Sequence, residues 1–171
     1  MLEILYPRRC AVCDEIEVTG KGICPLCKDK VHVAGEPACK KCGKPLVDER
    51  KEFCTDCGKK HHVYTQGKAV FVYEGGIRNS MYRFKYGNKR EYAEFYANAA
   101  VEKYGVWLNK IKAEVLIPIP MYSRKKRLRG YNQAEVFARE LGRQAGILVD
   151  EHLVRRVRNT LPQKELYASQ R

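Results

Sequence analysis

The chain has 171 residues, with 33 Lys and Arg against 20 Asp and Glu, a formal net charge of +13 and 44% hydrophobic side chains. That apolar content argues against a disordered chain, and the best apolar runs, Ala69–Tyr73 and Val115–Ile119, fall far short of the roughly 20 residues a spanning helix needs. The N-terminus reaches Pro7-Arg8-Arg9-Cys10 without the apolar stretch of a secretory signal, so no membrane span and a cytoplasmic, reducing setting are expected.

Residues 1–66 carry 12 basic and 10 acidic side chains and all eight cysteines, whereas residues 67–171 carry 21 and 10. Two modules divided at that point are expected. The cysteines fall in four CxxC pairs, Cys10/Cys13, Cys24/Cys27, Cys39/Cys42 and Cys54/Cys57, separated by 10, 11 and 11 residues, which is an internal repeat. A two-residue spacing lets a tight knuckle aim both sulfurs at one tetrahedral ion, and two knuckles close a four-thiolate site, so eight ligands imply two structural zinc ions. Disulfides suit a secreted chain and redox CxxC motifs normally come singly on a helix. An iron–sulfur cluster usually shows other spacings. Pairing of neighbouring knuckles and pairing of alternating knuckles both complete two sites; neighbouring pairs, making two stacked ribbons, are favoured. With the ligand count complete, His61 and His62 read as solvated polar residues.

In the basic module, Ala69–Tyr73 reads as a strand bounded by Gly67 and Gly75-Gly76. Ile77, Met81 and Phe84 then recur at helical spacing with Gly87 as a stop, and Glu91–Tyr104 gives a second helix whose aromatic stripe reads as core. Val115–Ile119 is the most hydrophobic strand and runs into Pro118 and Pro120, which end regular pairing. A basic loop is expected next, Ser123 to Gln133, with five cations in six residues: Arg124, Lys125, Lys126, Arg127 and Arg129. Asn132 is a helix cap with Glu135 three residues on, and the helix it opens ends at Gly146. The order strand, basic loop, helix places the loop at the carboxyl edge of a sheet, beside a helix N-terminus whose free amides favour anions. Tyr131 is the aromatic placed to stack on an unpaired base.

The stretch "LIPIPMYSRKKRLRGYNQAEVFAREL" (Leu116–Leu141), preceded by four CxxC knuckles and followed by "RRVRNTLPQKELYASQR" (Arg155–Arg171), resembles the ComF family of late-competence proteins. The resemblance implies an α/β chain: an N-terminal double zinc ribbon, then a Rossmann-like type I phosphoribosyltransferase domain with a parallel sheet. It would set Arg129, Gly130, Tyr131, Asn132 and Gln133 beside the pyrophosphate of phosphoribosyl pyrophosphate, and it matches Arg158, Thr160, Gln163 and Arg171 to the flexible loop that closes over substrate. The family's ribose-phosphate signature, two adjacent acids followed by a Gly/Thr-rich turn, normally comes after that loop. The chain stops at Arg171, so an incomplete domain lacking its C-terminal part is expected. Ile147–Glu151 imitates the first half of the signature, but His152-Leu153-Val154-Arg155 follows where small residues are needed.

Two functions follow. One is a nucleic-acid-handling accessory in DNA uptake and natural transformation, with the basic module contacting phosphates of single-stranded DNA or other nucleic acid, and a competence helicase as partner by resemblance. The other is a phosphoribosyltransferase, a glycosyltransferase displacing pyrophosphate with Mg(II) as cofactor, active only in a chain that carries the signature. The absent signature ranks the accessory first.

Overall fold

The computed structural model describes residues 7–160; Gln163 and Arg171 lie outside the described residues. The two ribbons are built alike. In the first, an antiparallel bridge joins Arg9 to Ile16, the Cys10 amide donates to the Glu15 carbonyl (2.8 Å), and the Asp14 amide donates to the Cys10 carbonyl (2.9 Å). In the second, Ala38 bridges Pro45, the Cys39 amide donates to Lys44, and the Gly43 amide to Cys39, at the same distances. Each turn closes through a left-handed residue, Asp14 (φ 70°) and Gly43 (φ 74°), a conformation that Gly and Asp tolerate best. The second knuckle of each ribbon opens a helical turn. Cys24 and Cys54 are extended N-caps of a 3-10 turn, Pro25–Lys30, and of α1, Thr55–Lys59. One turn brings Cys27 and Cys57 back to the same side, which is why two intervening residues suffice.

After the second ribbon the chain passes back along the segment that joins the two ribbons. Val33 bridges Phe71, with the Ala34 amide on the Val70 carbonyl (2.9 Å) and the Val72 amide on the His32 carbonyl (2.8 Å). The strand expected at Ala69–Tyr73 is therefore a single antiparallel bridge to the inter-ribbon segment, not a member of the parallel sheet. Phe71 turns inward and stacks on Phe95, with ring centroids 5.4 Å apart.

Two helices carry the core. Helix α2, Gly75–Tyr86, buries Ile77, Ser80 and Phe84 at helical spacing and stops at Gly87. Helix α3, Tyr92–Ile111, extends the expected segment to a left-handed Lys112 and buries Tyr92, Ala93, Phe95, Tyr96, Ala97 and Ala100. Ala11 of the first ribbon lies in the same hydrophobic cluster as Ile77, Phe84, Tyr92, Phe95 and Tyr96. Polar groups also cross the junction. Tyr92 Oη donates to Asp14 (2.7 Å), Lys89 Nζ pairs with Asp14 (2.8 Å), and Arg83 donates to the Val12 carbonyl. Lys103 Nζ and Tyr104 Oη both donate to the Ala69 carbonyl. Gly76 permits the approach of α2 to the ribbon, since a Cβ there would sit 2.7 Å from Val12 Cγ1.

The rest forms one parallel β-α-β unit. Strand β1, Val115–Leu116, pairs in parallel with β2, Leu148–Val149, in the register Val115 to Leu148. Only two of the five expected strand residues pair, because Pro118 and Pro120 have no amide to donate. The segment expected as a basic loop is mostly helix: α4, Ser123–Arg129. Lys, Arg and Leu are strong helix formers, the Lys126 amide reaches the Tyr122 carbonyl (2.9 Å), and Gly130 (φ 84°) stops the helix. Helix α5, Gln133–Ala145, is capped by Asn132, whose Oδ1 accepts from the Ala134 amide (3.1 Å), and ends at a left-handed Gly146 as expected. It lies along α3, and Gly142 lets the chain return to β2: a Cβ there would meet the Ile147 carbonyl and Val149 Cγ2, both at 2.6 Å.

Tyr131 needs a correction. It is 4% exposed, its ring packs beside Phe84, and its hydroxyl donates to the Phe84 carbonyl. The turn at Gly130 points it into the core, so it is not available to stack on a base. Replacing Tyr131 by Ala removes a buried ring, and a stability loss of about 3–5 kcal/mol is expected. Tyr131→Phe, which keeps the ring and loses the hydrogen bond, should cost about 1 kcal/mol. Chemical denaturation midpoints check both; an Ala variant as stable as the parent would contradict this packing.

Candidate metal centres and a cationic cleft

The Sγ atoms of Cys10, Cys13, Cys24 and Cys27 all lie within 4.8 Å of one another, as do those of Cys39, Cys42, Cys54 and Cys57. Neighbouring knuckles therefore come together and alternating ones do not. The Cys13–Cys24 and Cys42–Cys54 sulfurs are each 3.8 Å apart. A tetrahedron of thiolates about 2.3 Å from one zinc ion has edges of about 3.8 Å, so the sulfurs stand where the ion needs them. Four thiols leave no open coordination position, and the two groups fit two structural zinc ions. His61 and His62 are in neither group.

The repeat extends to the electrostatics. Burial raises the Cys10 thiol, but the amides of Cys13, Cys24 and Val12 outweigh it and bring it down to about 7. The amides of Cys24 and Val12 lie 3.3 and 3.4 Å from that sulfur. Cys39, at the same place in the second ribbon, is burdened by burial and is still drawn down to about 6 by the amides of Cys42, Cys54 and Lys41. Cys27 and Cys57 are pushed up to about 12, by burial first and then by the neighbouring thiols. Without a cation, one thiolate per quartet forms readily and the last resists, because negative charge accumulates. A divalent ion removes that repulsion.

A second candidate site lies beyond the carboxyl ends of β1 and β2. It is an open cleft of about 880 Å³, whose lining includes the cations Lys126, Arg127, Arg155 and Arg156, the acids Glu135 and Glu151, and Gly130 and His152. The basic helix and the segment after β2 thus meet. Lys125 Nζ donates to the Thr160 carbonyl (2.8 Å), and Arg156 donates to Thr160 Oγ1. Of the sequence candidates, Lys126, Arg127 and Gly130 line the cleft. Arg124 is exposed, and neither it nor Arg127 has an ion-pair or hydrogen-bond partner among the described residues. Arg158 is exposed and is not in the lining.

Other candidates are engaged elsewhere. Lys126 pairs with Glu135 (2.6 Å). Arg129 Nη1 donates to Gln133 Oε1 (2.6 Å), with its guanidinium 4.7 Å from the centre of the Tyr86 ring. Asn132 is buried; besides capping α5, its Nδ2 donates to the Ile119 carbonyl (3.0 Å), which fastens the segment after β1 to the helix. Gln133 lines a separate apolar pocket. Asp150 and Glu151 are also taken up locally. Asp150 Oδ1 accepts the amides of His152 and Leu153, and Glu151 holds Arg139 (Nη2 to Oε2, 2.6 Å). Arg155 and Arg156 were not singled out from the sequence; their signal is the density of arginines just past the second short strand.

Residues 1–58 match the family model described as "Double zinc ribbon domain". "Competence protein F" of Haemophilus influenzae is 38% identical over 58 residues, 34% of this chain and 25% of that protein. The chain therefore spans about a quarter of the length of the curated relative it matches. No solved structure matches the chain.

Metal analysis of the purified protein should find two zinc equivalents per chain. Cys24→Ser should leave one, retained by the second ribbon, and should lower the stability of the first, since structural zinc supplies folding free energy directly. Zinc should leave as pH falls, because protons compete for thiolates; retention of both ions by the Ser variant would contradict the two-site assignment.

Proposed function

From a ComF-like chain that opens with a double zinc ribbon, we propose an accessory protein of DNA uptake that binds nucleic acid through its cationic α/β half. In this reading residues 1–66 and 67–171 are two modules, and the second has a Rossmann-like, phosphoribosyltransferase-type fold put to use as a phosphate-binding surface. The single observation that carries it is the convergence of Arg127 with Arg155 and Arg156 around one open cleft. Cations gathered from two segments make a surface on which several phosphates can be neutralised together, each with release of counterions. The ribbons, held by metal, serve as a rigid docking platform. They present exposed Val18, Leu26 and Val47 to a protein partner of the competence-helicase type. Eight cysteines kept as metal ligands suit the reducing cytoplasm.

A second reading, phosphoribosyl transfer, is favoured by the position of the cleft. Doubly wound folds hold ligands beyond the carboxyl ends of parallel strands, beside a helix N-terminus, and β1, β2 and α5 supply that arrangement. Against it, Asp150 and Glu151 already serve the backbone and Arg139. Both oxygens of Glu151 and one of Asp150 are thereby engaged.

One variant tests both. In Arg127→Ala/Arg155→Ala/Arg156→Ala, the slope of log affinity for DNA against log salt should flatten by about three units, and all sequences should weaken alike. Fluorescence anisotropy at several salt concentrations reads this. An unchanged slope would remove the nucleic-acid reading. Calorimetric binding of phosphoribosyl pyrophosphate that requires Mg(II) and is lost in this variant would put the transferase first.

A further inference from the structure

With Tyr131 buried, the question is which aromatic rings face solvent beside the cations. Helix α2 has two on its outer face. Tyr82 and Tyr86, one helical turn apart, are 65% and 57% exposed, and Tyr73, just before the helix, is 63% exposed. The rings of Tyr82 and Tyr86 have centroids 5.1 Å apart and are tilted by 46°, so neither covers the other face to face. They contrast with Tyr92, Tyr96 and Tyr131, whose rings are buried and whose hydroxyls are bonded to Asp14, Ser80 and the Phe84 carbonyl. Among the described residues the hydroxyls of Tyr82 and Tyr86 have no such partner. Rings placed this way contribute nothing to the core.

Their surroundings are cationic. The three tyrosines line one open groove with Arg78 and Lys85, and no acidic side chain is in that lining. Arg129, the last residue of the basic helix α4, sits over Tyr86 at 4.7 Å. Arg129 therefore brings a cation of the basic helix against a ring of the aromatic groove. Alternating aromatic faces and cations are what an unpaired strand requires: bases stack on the rings while the backbone tracks the charges. A duplex, with its bases already stacked, gains only from the charges.

We propose that Tyr82 and Tyr86, flanked by Arg129, Arg78 and Lys85, form a stacking platform for the unpaired bases of a single-stranded nucleic acid. The proposal rests on the nucleic-acid reading above and adds to it a base-stacking site on α2, outside the cleft, that confers preference for a single strand.

The test compares labelled oligothymidylate, oligouridylate and a DNA duplex of equal length by fluorescence anisotropy. The proteins are the full chain, Tyr82→Ala/Tyr86→Ala, and Tyr82→Phe/Tyr86→Phe. Both positions are solvent-facing, and Ala is the best helix former, so zinc content and helical circular dichroism should match the parent. The Ala pair should weaken single-strand binding by about five-fold or more per ring removed, leave duplex affinity and both salt slopes unchanged, and be rescued by the Phe pair. The two oligonucleotides show which sugar the platform accepts; a selective loss on either supports it. If the parent binds both forms and the Ala pair keeps its single-strand affinity, the platform is wrong and the cleft proposal stands. If single strand and duplex weaken alike, the tyrosines do not stack on bases, and the platform is again wrong. If the parent binds neither form, the nucleic-acid reading falls and takes the platform with it.

Discussion

The constraint on which the structure depends is the convergence of four sulfurs to within 4.8 Å of one another, twice over. Reaching it obliges the chain to turn through a left-handed residue just after the first knuckle of each ribbon, and the two ribbons fill that position differently. In the first it is Asp14, whose carboxylate is thereby presented to Tyr92 and Lys89 and ties the metal knuckle to the helical core. In the second it is Gly43, and the chain leaving the ribbon passes against it: a Cβ there would lie 2.7 Å from the Ala69 amide nitrogen. One turn geometry, imposed by metal chemistry, thus sets both how the ribbons are held to the rest and how the chain exits them.

The first ribbon and the helices α2 and α3 consequently share a core. Ala11, one residue past a metal ligand, lies in the same cluster as Phe84 and Tyr96, and Ile23 and Val31 pack against it. Loss of the first metal is therefore felt beyond the ribbon, whereas the second ribbon touches the core mainly through the chain segment around Ala69 and Phe71.

The cations are organised by helix formation. Winding Ser123–Arg129 into α4 spreads its five cations around a cylinder. Arg124 and Arg127 share a face, while Lys126 and Arg129 turn to Glu135 and Gln133 on α5. A run that looks uniform in composition is thereby divided. Some charges are spent on fastening α4 to α5, and others face the cleft or the aromatic groove. Arg129 also sets its guanidinium over the ring of Tyr86, one of the exposed tyrosines of α2.

The sequence by itself determined the eight metal ligands, because two-residue spacing between thiols in a near-constant repeat constrains local geometry tightly; which knuckles share an ion was decided by the fold, which brings neighbouring pairs together. It also determined α2, α3 and α5, through apolar spacing, the Asn132 cap and the stops at Gly87 and Gly146, all of which act within a few residues; α4, read as a loop, has no apolar stripe to reveal it. Only the tertiary structure decided where the charged and aromatic side chains face. Composition alone cannot tell that Tyr131 points inward while Tyr86 points out. That depends on the direction the chain takes at Gly130 and on the faces α2 and α5 bury. It likewise decided that Ala69–Tyr73 pairs with the inter-ribbon segment, since which backbone groups meet across tens of residues is set by packing and not by local propensity. The meeting of Arg127 with Arg155 and Arg156 has the same origin: the parallel pairing of β1 with β2 brings together segments that nothing in their own sequence requires to be close.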